Sequence, residues 1–242
     1  INFKGMNILI TGASSGIGRQ AAITYGKHNA NIIALGRSQG ALETLDDDLA
    51  KYNCDVSLVP FNLVQFNLIR DLEEKLSERI DHLDVLFLNA AAFGSLKPVT
   101  HIEEEEWNET FAVNLTSNVI ILKLFEPYLK KTNKSQILIS TSDITNQKKP
   151  FWGLYSASKA ALEQIAYSYA KEIENTNIKV NLIDPGTVNT KLRSKAYPGE
   201  DKQKITQPSE LSNFFLDILF NDRYTNGTLI RYVDWLKSSK RI

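Results

Sequence analysis

Short apolar runs alternate with longer amphipathic stretches along the whole chain, and few architectures accept that rhythm. The apolar runs lie at 7–11, 31–36, 56–61, 84–89, 136–140, 178–183 and 228–232. Each has the length of a strand and is too continuously apolar to turn one face to water. The stretches at 19–28, 42–52, 69–80, 103–130, 155–174 and 209–220 carry the helical period instead, with Leu42, Leu45 and Leu49 on one face. Strands buried on both sides and joined by helices make a parallel sheet wound by right-handed crossovers. The predicted class is therefore α/β, a doubly wound parallel sheet with helices on both faces.

No repeat, Pro/Ser linker or long charge block divides residues 1–242, so one domain is expected. Pro127 is expected to bend the end of the long helical stretch. The acidic run Glu103–Glu106 suits a helix N-terminus. Residues 191–208 show no period and follow a strand's carboxyl end, where open α/β sheets bind ligands; a mobile substrate loop is predicted there.

Composition removes several function classes. Lys+Arg and Asp+Glu each total 28, so no basic field exists to hold nucleic acid or an anionic membrane surface. With 43% hydrophobic and 23% charged residues, the chain is no disordered polymer. Cys54 is the single cysteine, which precludes an intramolecular disulfide and suits a reducing, cytoplasmic setting. No apolar run approaches the ~18–20 residues of a membrane span, and residues 1–6 lack a signal-peptide pattern. His28, His82 and His101 are scattered without ligand spacing, so no metal site is expected.

Gly12, Gly16 and Gly18 separate the first strand from the first helix. Glycines let the chain turn sharply and let backbone N–H groups approach a pyrophosphate at the helix's positive end. The same spacing also serves as a bare strand-to-helix turn. At the end of the second strand, beside which an adenosine ribose would lie, the chain offers Arg37 and Ser38 where an acidic residue would select a 2′-hydroxyl. A guanidinium suits a phosphate, so NADP(H) is favoured over NAD(H); the alternative for Arg37 is a solvated cation. Tyr155 and Lys159 stand one helical turn apart. An ammonium there would favour the phenolate and bring tyrosine toward useful acid–base range, although the spacing also occurs on plain surface helices. Asn89, Asn114 and Ser142 fall near the same carboxyl edge.

Together these pieces resemble the short-chain dehydrogenase/reductase family: Thr11-Gly-Ala-Ser-Ser-Gly-Ile-Gly18, Asn89-Ala-Ala91, Asn114, Ser142, Tyr155-x-x-x-Lys159, and Pro185-Gly186 with Thr190. Around Ala196–Asp201 the chain is similar to bacterial reductases of the family without an assigned substrate. The resemblance implies a Rossmann-type fold and the catalytic set Asn114, Ser142, Tyr155 and Lys159. Tyr155 would be the general acid or base, Lys159 would hold the nicotinamide ribose and bias Tyr155 toward ionisation, and Ser142 would bond the substrate oxygen. Asn114 would hold a relay water, and Asn89 would support the cofactor side of the sheet. The cofactor would meet Gly12, Ser14, Ser15, Gly16, Ile17, Gly18, Arg37, Ser38, Asn62, Leu63, Asn89, Ala90, Ala91, Tyr155, Lys159, Pro185, Gly186, Val188 and Thr190. Two positions depart from the family pattern: Ala92 replaces a glycine, and Asn62 replaces an aspartate that contacts adenine.

The expected reaction is reversible reduction of a carbonyl to a secondary alcohol. A 3-oxoacyl thioester is the alternative substrate, and a catalytically silent cofactor-binding sensor or scaffold is the alternative class. Phe93, Gly94, Phe151, Trp152, Leu154 and the 191–208 segment are expected to shape an apolar pocket, with Lys191, Arg193 and Lys195 either meeting a phosphopantetheine or facing water. The partner is a small molecule, and the resemblance implies a homodimer or homotetramer through the helices beginning near Trp107 and Tyr155.

Overall fold

Burial decides the strands. Ile8, Leu9 and Ile10 are all fully buried, so both faces of the first strand are covered. A computed structural model describes residues 1–221 and 223–239. Its strands are β1 (Asn7–Thr11), β2 (Asn31–Gly36), β3 (Val56–Pro60), β4 (Val85–Leu88), β5 (Ser135–Ser140), β6 (Ile178–Asp184) and β7 (Thr228–Arg231). They form one seven-stranded sheet in the order β3-β2-β1-β4-β5-β6-β7, with every pair parallel. The winding reverses between β1 and β4, which pair from Ile8 against Val85 to Ile10 against Phe87. That reversal opens a crevice at the strands' carboxyl ends.

The helices are α1 (Gly16–Gly26), α2 (Gln39–Leu49), α3 (Phe66–Ser77), α4 (Glu104–Phe111), α5 (Ser117–Leu129), α6 (Ile144–Gln147), α7 (Gly153–Glu172), α8 (Lys191–Ala196), α9 (Ser212–Phe220) and α10 (Tyr232–Ser239). Alternate strand residues feed two cores. Ile8, Ile10 and Phe87 pack with Tyr25, Leu45 and Phe215 from α1, α2 and α9. Leu9, Leu86 and Leu88 pack with Ile69, Phe125 and Leu162 from α3, α5 and α7.

Three expectations are corrected. The 103–130 stretch is broken: one π-helical turn, Ala112–Thr116, separates α4 from α5. The extra residue in that turn carries Asn114 against the segment after β4, where its amide accepts from Ala92 N at 2.7 Å and donates to Ala92 O at 2.9 Å. The 191–208 segment is no bare loop. Thr190 caps α8 by accepting from Arg193 N at 3.0 Å, and the return chain is tied down where Asn189 N donates to Thr206 O at 2.9 Å. A six-residue helix is too short to show a period. At the far end, Tyr232 does not extend β7 but begins α10.

Candidate active site

The crevice is laced shut at its base by side chains from three strand ends. Thr11 Oγ1 accepts from Asn89 N and Ala90 N at 2.9 and 3.0 Å. Asn89 Nδ2 donates to Thr11 O at 3.2 Å, and its Oδ1 accepts from Ser140 Oγ at 3.1 Å. Asn89 thus bonds β1 and β5 from the end of β4. The glycine turn sits directly above. Gly16 lies at φ +56°, a region that L side chains rarely adopt. A Cβ at Gly18 would fall 2.5 Å from Gly12 O and 2.6 Å from Asn89 Nδ2. Gly18 is therefore a packing glycine that lets α1 approach the sheet.

Ser15 is the N-cap of α1 but its side chain bonds none of the helix's first amides, and no acidic residue occupies the first turn. Ser15, Gly16 and Ile17 line the crevice, so the uncapped start of α1 is the kind of helix end that suits an anion. Its lining continues from this turn in both directions. One end is Leu35, Gly36, Arg37, Phe61, Asn62 and Leu63; the other is Tyr155, Lys159, Pro185, Gly186, Val188 and Thr190. Ser14, Ile17, Ala90, Ala91 and Ser142 lie between them. Arg37 is exposed and, among the described residues, makes no ion pair. The donor set and the open glycine cradle therefore fit a dinucleotide whose phosphates meet α1. Gly18, Ser38 and Asn114 do not line the crevice. Ser38 caps α2 through Ala41 N, and Asn114 holds Ala92 and Ser158.

At the other end, α7 presents Tyr155 and Lys159 on one face, with the ammonium 6.0 Å from the ring centre. The Tyr155 hydroxyl makes no hydrogen bond among the described residues, and the ring is buried against Phe93 and Trp152, 5.5 and 6.2 Å away. Lys159 is 2% exposed and donates to Ser140 O at 2.9 Å. Burial pulls the Lys159 ammonium down to about 8, opposed by the Glu163 carboxylate. Burial first, and Asp184 second, push the Tyr155 phenol up. The expected downward bias on Tyr155 is thus reversed in the protein alone: taking a phenolate out of water costs more than an ammonium across the ring returns. The phenol rests protonated, which is the form that can donate.

Phe93, Ile144, Trp152, Tyr155 and Ala196 form a small apolar cluster, joined by Leu192 and Tyr197. Arg193 does not face water freely: it binds Glu200 through two nitrogens, at 2.7 and 2.6 Å, and stacks 3.8 Å over Tyr197. Phe151 is 56% exposed and Leu154, in the first turn of α7, is buried; neither lines the crevice, and nor do Phe93 and Gly94, so of the pocket candidates outside the 191–208 segment only Trp152 does. Sequence reading missed Phe61 and Thr141 in the lining, whereas Leu192 and Ala196 belong to the 191–208 segment expected there. Phe61 and Thr141 follow the ends of β3 and β5, so the carboxyl-edge rule alone would have found them. Among the described residues, no three of His, Cys, Asp and Glu gather as a metal site.

Residues 6–201 match the short chain dehydrogenase family. The chain belongs to that family. An uncharacterized oxidoreductase of Escherichia coli K12, YciK, is 31% identical over 221 residues, covering 89% of this chain and 86% of that protein. The 3-oxoacyl-[acyl-carrier-protein] reductase FabG of Thermotoga maritima is 28% identical over 195 residues, 81% of this chain and 79% of that one. A crystal structure of a short chain dehydrogenase from Shigella flexneri 2a, complexed with NADP, superposes with a TM-score of 0.87 at 27% identity, over 95% of this chain and 97% of that one. As a family member, the chain is an NAD(P)-dependent dehydrogenase or reductase.

Proposed function

We propose that this short chain dehydrogenase transfers hydride between NADP(H) and a carbonyl or secondary alcohol, with Tyr155 as the general acid or base. The observation that carries the proposal is a phenol in the crevice wall, its hydroxyl without a partner among the described residues, one turn from a buried ammonium. When bound, the nicotinamide supplies the hydride. Lys159 keeps N–H bonds for ribose hydroxyls beyond the one it gives Ser140 O. Ser142, loosely held by Ile144 N at 3.4 Å, is available to bond the substrate oxygen. Tyr155 donates its proton to that oxygen as negative charge develops, and takes it back in the oxidation direction. Asn114 acts through Ala92 and Ser158 rather than by touching substrate.

The guanidinium of Arg37, without an ion pair among the described residues, supports NADP(H) over NAD(H), and the NADP complex of the Shigella relative agrees. With Arg37→Ala, NADPH affinity is expected to fall about tenfold while NADH affinity holds, since a charge-assisted phosphate contact contributes roughly 1.5–3 kcal/mol; equal losses for both would contradict this role. The wall of Trp152, Leu192 and Ala196 supports an apolar substrate. A second reading, a 3-oxoacyl thioester, draws on FabG and on Lys191, Lys195 and Lys202, which line an adjoining opening that no acidic residue lines. NADPH oxidation with benzil and with an acetoacetyl thioester separates the two, and no oxidation across a broad carbonyl panel would favour the silent sensor. We further infer one domain, a homo-oligomer through the exposed apolar Trp107, Val119 and Ile165 of α4, α5 and α7, and a reducing, cytoplasmic setting from the free Cys54.

A further inference from the structure

Glu163 stands one turn beyond Lys159 on α7 and has no part in the chemistry described so far. Its Oε1 accepts from the hydroxyl of Thr141 and, at 3.2 Å, from that of Thr145. Those two threonines flank Ser142 in the chain. Thr141 is itself anchored, its N–H donating to Ile183 O on β6 at 2.8 Å. The Thr145 hydroxyl also reaches Ser142 O at 3.1 Å. Ser140, one residue earlier, accepts from Lys159 through its carbonyl. One carboxylate oxygen therefore ties α7, which carries Tyr155 and Lys159, to both sides of the residue meant to hold the substrate oxygen.

Resting on the reading of Tyr155, Lys159 and Ser142 given above, we propose that Glu163 is a positioning residue that fixes the Ser142 segment against α7 and keeps Lys159 cationic. Burial disfavours the Lys159 ammonium, and Glu163, one turn on along the same helix, is the carboxylate that opposes that cost. The other ionisable groups of this corner are Asp184 on β6, Asp143 before α6, Arg231 on β7, and Tyr155 and Tyr167 on α7. The proton donated by Tyr155 must be replaced, and a charged Lys159 one turn away sustains that state.

The test uses the full chain, titrated without cofactor and assayed with NADPH. Glu163→Gln keeps an oxygen for both threonines and removes only the charge. Lysine carbon-labelled for NMR, with the Lys159 signal assigned through Lys159→Arg, is expected to titrate near about 8 in the parent, and lower by about half a unit or more in Glu163→Gln. Glu163→Ala removes the grip as well, and kcat for benzil is expected to fall about 10–100-fold with KM little changed. If that variant does not fold, the double variant Thr141→Val, Thr145→Val is expected to lower kcat while leaving the Lys159 titration where it was. An unmoved Lys159 signal in Glu163→Gln, or parental kcat once the grip is removed, overturns the proposal. Tyr155→Phe separates the two layers. If it still turns over benzil, the underlying reading fails and takes this one with it; if it is inactive while Glu163 changes nothing, only the role of Glu163 fails.

Discussion

Lys159 is where residue chemistry and function meet most closely. Its ammonium is buried, bonded to Ser140 O, and pulled down to about 8. The charged form exists below that value, so carbonyl reduction is expected to hold steady up to about pH 8 and to decline as pH rises through it. A kcat/KM profile for the free protein checks this; a plateau extending through pH 10 would contradict the assignment. Tyr155 does not set that limb, because burial and Asp184 hold its phenol up. The Tyr155 and Lys159 spacing was legible in the sequence because i and i+4 share a helix face whatever surrounds them. The direction of the phenol's shift was not, because it depends on desolvation in which Phe93, from the segment after β4, closes over the ring together with the nearby Trp152. Nor was the backbone carbonyl of Ser140, since carbonyl partners leave no mark on residue type.

Elements show the same division. The glycine turn could be read because each glycine answers a local demand. Gly18→Ala puts a methyl 2.5 Å from a backbone oxygen that cannot rotate away. Overpacking of this kind costs about 1–3 kcal/mol. Gly18→Ala is therefore expected to lower thermal stability and weaken NADPH binding together, because α1 must retreat from the turn. Calorimetry with and without NADPH checks the pairing, and an unshifted Tm would contradict the packing role. The π-turn at Ala112–Thr116 left no local signal, as its cause is the hydrogen bonding of Asn114 to Ala92, a partner on a different element. Helix α8 hid for a different reason. Its start signal, Thr190 three residues before Arg193, is present, but six residues make too few turns for a hydrophobic period to follow it. The Arg193–Glu200 pair and the Tyr197 stack then hold the segment against Trp152.

At the scale of the molecule, the alternation of strands and helices was enough to specify the sheet, its parallel sense and its covered faces, because burial on both sides admits few other solutions. The strand order follows from right-handed crossovers and one reversal, and that reversal places Gly12, Asn89, Ser142, Tyr155 and Thr190 around one crevice although they lie far apart in sequence. Trp107, Val119 and Ile165 remain exposed on helices outside that crevice. Light scattering at low micromolar concentration is expected to give a dimer or tetramer, whereas a clean monomer would contradict the proposed interface. Every role proposed for the crevice depends on Tyr155 giving a proton beside bound NADPH. Its most direct test is rapid mixing of NADPH-loaded parent and Tyr155→Phe proteins with benzil, with NADPH binding followed by tryptophan fluorescence. The predicted result is near-equal NADPH affinity and a hydride-transfer rate lower by about 10²–10⁴-fold in Tyr155→Phe. Equal rates in the two proteins, or a parent that binds no NADPH, would contradict it.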